Sequence, residues 1–182
     1  MTNLFHDVNP GKEVPKKILM VVENPSGYRG KLEYNKKLGA MFLDRVSYSD
    51  LVYPVEYGFI PQSWNKYDND PMDIMCLSSV HTYPSVLINV RVLGMLKMED
   101  TGELDHKIFG VPEDDPIYNG VDSLDEINGH VIQRIEFYFE NYKKLMKNKE
   151  VKILGWEGKD EAYRFIEETI LEYKKKFKKG GE

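Results

Sequence analysis

Between Tyr67 and Met75 the chain reads YDNDPMDIM, which places Asp68, Asp70 and Asp73 within six residues and directly ahead of an apolar run. Carboxylates this close repel one another, and partial burial adds to the cost by disfavouring their charged forms. The segment needs a positive partner that it does not itself contain. Hard divalent cations such as Mg2+ and Ca2+ fill that role, because they take oxygen ligands and reverse the local charge balance. A capped turn, in which Asp and Asn accept from backbone N–H groups, would explain Asp68 and Asp70 beside Pro71. It leaves Asp73 unexplained, since that residue already stands in the strand-like MDIMCL, where an unpaired charge is costly. An EF-hand loop fails as well: DNDPMDIMCLSS has Asp at its sixth position and Ser at its twelfth, where Gly and Glu are required.

A second acidic group lies in KMEDTGELDHK, where Asp100 and Asp105 flank a Thr–Gly turn and Lys107 follows. Residues two apart on a strand share a face, so Asp105 and Lys107 point the same way, and Lys31 and Glu33 in GKLEY repeat the spacing. Alone, either pair reads as an ordinary charge pair on a wet face; beside three aspartates the set is less ordinary. Arg45 in LDRV, Tyr57 in PVEYGFI, and Tyr142 with Lys143 in NYKKL add cations and phenols. Singly these would be packing or solvated residues, and only the ensemble marks them as candidates. The histidines, His6, His81, His106 and His130, show no zinc-ligand spacing and take no catalytic role; His106 faces away from Asp105 and Lys107.

These residues must be positioned by a chain whose strand signals run from Lys17 to Leu96, broken at NPSGYRG, NKKLG and NKYDNDP. The pattern predicts strands at 18–23, 31–34, 40–46, 55–60, 72–77 and 86–98, and a later one at 151–155. Short successive strands with Gly and Pro at their joints predict a small barrel or strongly curled sheet. Two helices come late. The first has Ser123 and Glu126 as a capping pair, Asn128–Gly129 as a possible delay, and apolar positions at Val131, Ile135, Tyr138, Tyr142 and Leu145. The second starts near Asp160 as cap, with Ala162, Phe165, Ile166, Ile170, Tyr173 and Phe177 on one side. Both are expected to cover the barrel, giving an α+β, mainly β fold. No repeat, low-complexity linker or shift in composition calls for a second domain, so residues 1–182 are expected to form one.

Composition narrows the function classes. The chain has 182 residues, 25 basic and 30 acidic, with a net charge of −5, which argues against a nucleic-acid binder that depends on a basic surface. The lysine-rich EYKKKFKKGGE reads as a helix C-terminus complementing its dipole. Cys76, the only cysteine, sits in an apolar run and reads as a small core residue. No leader pattern or membrane-length apolar run is visible, so a cytoplasmic protein without membrane association is expected.

DNDPMDIM resembles the Asp-x-Asp-Pro-x-Asp signature of the soluble family I inorganic pyrophosphatases of bacterial and archaeal type. The similarity continues through VVENPSGYRGKLEY, GAMFLDRV, YPVEYGFIP, VLGMLKMEDTGELDHK, YFENYKKL and VKILGWEG in the family's order and spacing. The resemblance implies a curled OB-like five-stranded barrel with extra strands under two C-terminal helices, and Mg2+-dependent hydrolysis of pyrophosphate to two phosphates. It further implies Asp68, Asp73, Asp105, Asp100 and Glu23 as metal ligands, Glu23 through water, and Asp70 as the base that takes the proton of the attacking water. Lys31, Arg45, Lys107, Tyr142 and Lys143 are then expected on the phosphate oxygens, Glu33 beside Lys31, and Tyr57 inside the catalytic hydrogen-bond network. A homohexamer is implied as well. Two positions depart from the pattern: Thr101 stands where many bacterial relatives carry an acid, and Asn24 where an apolar residue is more usual. The competing readings are a metal-dependent nucleotide or polyphosphate phosphatase, and a non-enzymatic OB-like oligonucleotide binder using Tyr53, Tyr57 and Phe59 as a stacking strand.

Overall fold

The computed structural model describes residues 2–178. Five strands close on themselves: β1 (Lys17–Asn24), β4 (Glu56–Phe59), β5 (Asp73–Cys76), β8 (Lys107–Pro112) and β6 (Leu87–Asp100). β1 pairs with both β4 and β6, so the order β1-β4-β5-β8-β6 returns to β1 as the expected five-stranded barrel. Closure removes the open edges that would otherwise template further pairing. The β5–β8 pair is parallel; the other four pairings in the ring are antiparallel. β7 (Glu103–Leu104) and β9 (Val151–Gly158) extend the sheet along β6, while β2 (Gly30–Asn35) and β3 (Ala40–Val46) form a separate hairpin.

Strand alternation sorts the core into two faces. Ile74 and Cys76 of β5 and Ile108 of β8 join Ile18, Met20 and Val92 in a cluster covered by Ile166 and Ile170 of α2 (Lys159–Phe177). Met75, Phe109 and Val111 point the other way, onto Ile135, Tyr138 and Phe139 of α1 (Gly129–Asn141). Asp73 and Lys107 have the parity of Met75 and Phe109, which delivers both charged groups to the α1 side.

Several local expectations need correction. Ser123 and Glu126 do form a capping box, but around the short 3-10 turn Leu124–Glu126; α1 begins afterwards, capped by Asn128. Leu145 lies beyond the end of α1 and is 66% exposed, because the helix stops one residue before Tyr142. Gly158, not Asp160, caps α2, and Asp160 sits in the first turn, where a carboxylate complements the helix dipole. β8 was foreshadowed only by the shared face of Asp105 and Lys107. The C-terminal lysine run falls at the end of α2 as expected up to Lys178, and residues 179–182 lie outside the described residues. Tyr53, Tyr57 and Phe59 are all buried, so they form no open stacking platform.

The barrel depends on a tight crossing at Gly58. A Cβ there would stand 1.9 Å from the carbonyl oxygen of Val21 on β1, and neither backbone can yield without breaking the β1–β4 ladder. Gly58→Ala is therefore expected to destabilise the fold by on the order of 3 kcal/mol, at the upper end of overpacking penalties. Chemical denaturation of the variant against the parent measures it.

Candidate active site

The aspartate segment is a turn feeding a strand. Asp68 accepts the backbone N–H of Asp70 at 3.0 Å and the Asn65 side-chain amide at 2.8 Å, while Asn69 takes a left-handed φ of 59°. Asx hydrogen bonding thus sets the turn, as the capped-turn reading anticipated for Asp68; the Asp70 carboxylate caps no backbone group and pairs with Lys36 instead. Asp73 opens β5, directly opposite Lys107 in the parallel register of β8. Lys107 Nζ donates to Asp73 at 2.6 Å and to Asp105 at 2.5 Å, and its side chain is only 1% exposed. The Tyr57 hydroxyl donates to Asp73 Oδ2 at 2.5 Å from β4.

Other walls converge on the same place. Lys31 and Arg45 lie opposite one another in the β2–β3 hairpin; Lys31 Nζ stands 3.4 Å from Glu33, and Arg45 pairs with Asp44 at 2.8 Å. Glu23, at the end of β1, accepts the backbone N–H of Tyr34 at 2.7 Å. Lys143, just past α1, pairs with Asp100, whose other oxygen accepts from the Thr101 hydroxyl at 2.9 Å. Tyr142 stands 3.4 Å from Asp100. Together these elements enclose a cavity of about 340 Å³ whose lining sets eight carboxylates against four cationic side chains.

That imbalance perturbs the acids. Burial pushes Glu23 up to about 8, against the opposing Tyr34 N–H, with Asp73 and Asp70 adding repulsion. Burial, then Asp73 and Asp105, raise Asp68 to about 8. Asp73 rises only to about 6, because Lys107 offsets much of its burial. Lys107 is held above the ordinary lysine range: burial favours its neutral form, but Asp105 and Asp73 outweigh it. At Asp100 the Lys143 ammonium outweighs burial and holds the carboxyl low.

Every expected site residue except Lys107 lines the cavity: Glu23, Lys31, Glu33, Arg45, Tyr57, Asp68, Asp70, Asp73, Asp100, Asp105, Tyr142 and Lys143. Lys107 lies beneath its wall, tying two of the carboxylates together. Sequence reasoning missed Tyr53, Phe139, Glu103 and Lys149 as lining residues, and Lys36, whose ammonium pairs with Asp70. Of these only Glu103 carried a readable signal, since it lies between Asp100 and Asp105. Among the described residues no three Asp, Glu, His or Cys side chains converge as a ready-made cation cage. The donor set nonetheless fits a hard divalent ion: it is all carboxylate oxygen, and burial, with repulsion between neighbouring acids added, makes its unpaired charged forms costly in a way such an ion would offset.

A closed OB-like barrel with a carboxylate-rich, cation-rimmed cavity defines a protein built to handle a small anion together with divalent cations. The family profile described as inorganic pyrophosphatase matches residues 20–174. An inorganic pyrophosphatase of Picrophilus torridus is 46% identical over 171 residues, covering 94% of this chain and 96% of the relative. One of Haloferax volcanii is 40% identical, over 97% and 99% of the two chains. The crystal structure of inorganic pyrophosphatase from Thermus thermophilus superposes with a TM-score of 0.91 at 37% identity, covering 95% of this chain and 99% of that one. The chain belongs to the inorganic pyrophosphatase family.

The raised carboxyls make stability depend on pH. Glu23 and Asp68 hold protons more tightly in the folded protein than in the unfolded chain, so the metal-free fold loses stability as pH rises from the ordinary carboxylate range toward about 8. His6 and His106, pushed down by burial, act in the opposite sense, but their contribution is complete above about pH 6.5. Asp100, held low, matters only below the ordinary carboxylate range. In chelator, the melting temperature should therefore fall between about pH 6.5 and pH 8, and Mg2+ should raise it most at the upper end. Scanning calorimetry checks both; a flat profile in chelator would show that burial does not hold Glu23 and Asp68 above the ordinary carboxylate range.

Proposed function

We propose that this chain hydrolyses inorganic pyrophosphate to two phosphates in the cavity between the barrel, the hairpin and α1, with Mg2+ as its cation. The observation that carries the reading is a cavity lined by eight carboxylates and four cationic side chains, in a chain of the pyrophosphatase family.

Glu23, Asp68, Asp73, Asp100 and Asp105 would hold the metal. Bound there, Mg2+ offsets substrate charge, polarises phosphoryl oxygens and lowers the pKa of water. This chain's own groups do the rest. Lys31 and Arg45, opposed across the hairpin, present an ammonium and a guanidinium fork to phosphate oxygens, and Glu33 orients Lys31. Lys143 and Tyr142 approach from the end of α1, where the incoming anion competes with Asp100 for the ammonium. Lys107, already engaged, acts by fixing Asp73 and Asp105 and by contributing positive charge from beneath the wall. Asp70 takes the proton of the attacking water: it lines the cavity beside Asp68 with its side chain 44% exposed, open to a solvent molecule. Tyr57, which burial and Asp73 keep well above the ordinary phenol range, stays protonated and donates to Asp73, orienting it. Fixed dipoles and charges aimed at the phosphoryl oxygens supply most of the expected rate enhancement.

The same reading takes residues 1–182 as one cytoplasmic domain assembling into homohexamers. Among the described residues no helix is long and apolar enough to cross a membrane. The hairpin and neighbouring loops expose Leu38, Phe42, Leu43, Val46 and Tyr48, apolar surface that subunit contacts would cover. Light scattering at micromolar concentration is expected to return six chain masses, and a monomer mass would contradict the assembly.

Phosphate release from pyrophosphate should be abolished by chelation and restored by Mg2+. Absence of turnover by folded, Mg2+-loaded protein at neutral to alkaline pH would sink the proposal. Asp70→Asn should lower kcat about 100-fold to 10,000-fold, the usual contribution of a general base. Its metal affinity by calorimetry should survive better than that of Asp73→Asn or Asp105→Asn; equal loss in all three would reassign Asp70 as a ligand.

A further inference from the structure

Asp70 carries the proposed proton transfer, yet within its own segment nothing fixes its carboxylate. Its backbone is anchored, the N–H to Asp68 at 3.0 Å and the C=O to the Asn65 N–H at 2.7 Å. Its carboxylate has a single side-chain partner among the described residues, the Lys36 ammonium, which arrives from the turn of the β2–β3 hairpin. Lys36 does not line the cavity; Asp70 does. Lys36 lines a separate surface cavity with Glu33, Trp64 and Phe177, so its ammonium joins Asp70 from outside the site.

A half-exposed lysine beside an aspartate is usually worth little, because a loose side chain gives up entropy to hold one geometry. Here the base of that side chain is fixed. Asn35 accepts the backbone N–H groups of Lys37 at 3.1 Å and Leu38 at 2.9 Å, and Gly39 closes the turn with a φ of 66°. The carbonyl of Lys36 itself accepts from the Asn3 side-chain amide at 2.7 Å. One residue along the same N-terminal segment, the backbone N–H of Leu4 donates to the Tyr34 hydroxyl at 2.8 Å, and Tyr34 is buried against Phe59. The N-terminal segment thus straps the hairpin to the barrel at the residue that holds Asp70.

We propose that Lys36 is a positioning residue for catalysis: strapped in place through Asn3, it orients the Asp70 carboxylate toward the cavity. This rests on the reading of Asp70 as the base. It assigns a catalytic purpose to the hairpin turn, where none of the cavity-lining residues lies. It also gives the N-terminal segment a role in the chemistry although it stands outside the cavity.

The test is a double-mutant cycle with the full, Mg2+-loaded protein and pyrophosphate. Lys36→Met, which keeps the stem and removes the charge, should lower kcat about 10-fold to 100-fold, the scale on which misplacement of a reacting group acts, with KM little changed. Lys36→Arg should restore most of the rate. In the Asp70→Asn background, Lys36→Met should cause no further loss, because two groups acting as one unit are not additive. Melting temperature and Mg2+ affinity should stay near the parent values throughout. Should Lys36→Met fail to fold, Lys36→Gln enters the same cycle. Wild-type kcat in the charge-removed variant, or an equal loss with and without Asp70, overturns the role of Lys36 while leaving Asp70 as base. Wild-type kcat in Asp70→Asn overturns the base assignment and this proposal with it.

Discussion

The contact on which the site depends is the buried ammonium of Lys107 between Asp73 and Asp105. The parallel register of β5 and β8 puts Asp73 opposite Lys107, and Asp105, in the two-residue link between β7 and β8, reaches the same ammonium. Two acidic segments distant in sequence are thereby joined at one point. Removing one partner of such a buried pair leaves the other charge without compensation, typically at a cost of about 3–5 kcal/mol. The barrel can keep carboxylates at its surface because this lysine stands behind them, and Tyr57 adds a neutral donor to the same carboxylate.

The remaining acids are deliberately under-compensated. Lys107, Lys143 and Lys36 each engage carboxylates directly, yet Glu23 and Asp68 remain without a cationic partner among the described residues and are pushed far above their usual range. A protein interior avoids such charge unless something recovers the free energy. Under the proposed function a divalent cation would, and the instability of the empty site and the affinity of the filled one would then have a single origin. Under that function, Lys31 and Arg45 of the hairpin, paired with Glu33 and Asp44 in the empty site, would serve the anion that enters with the metal.

The strands of the hairpin are legible in the sequence, but its docking on the barrel is not. The hairpin belongs to no barrel strand pair, and only Tyr34 of its two strands is buried. What holds it is scattered: the Glu23 carboxylate on the Tyr34 N–H, the Asn24 side chain bridging both the N–H and the C=O of Leu32, and the N-terminal strap on Tyr34 and Lys36. Asn24, which departs from the usual apolar residue, is fully buried and spends both its donor and its acceptor on that strand.

The sequence by itself determined what depends on local spacing. Three aspartates at intervals of two and three, an Asp-x-Lys strand and two helical apolar periodicities are enough to announce a hard-cation site on a curled sheet under helices. The chemistry of each residue type and the period of each element need no distant contact. Only the tertiary structure decided which side of the wall each charge occupies. The β5–β8 register is what buries Lys107 between two carboxylates, and the docking of the hairpin is what brings Lys36 to Asp70. Both depend on pairings between segments some 34 residues apart. No local pattern encodes such pairings, because register and docking are settled by burial of the whole core rather than by the residues that the docking brings together.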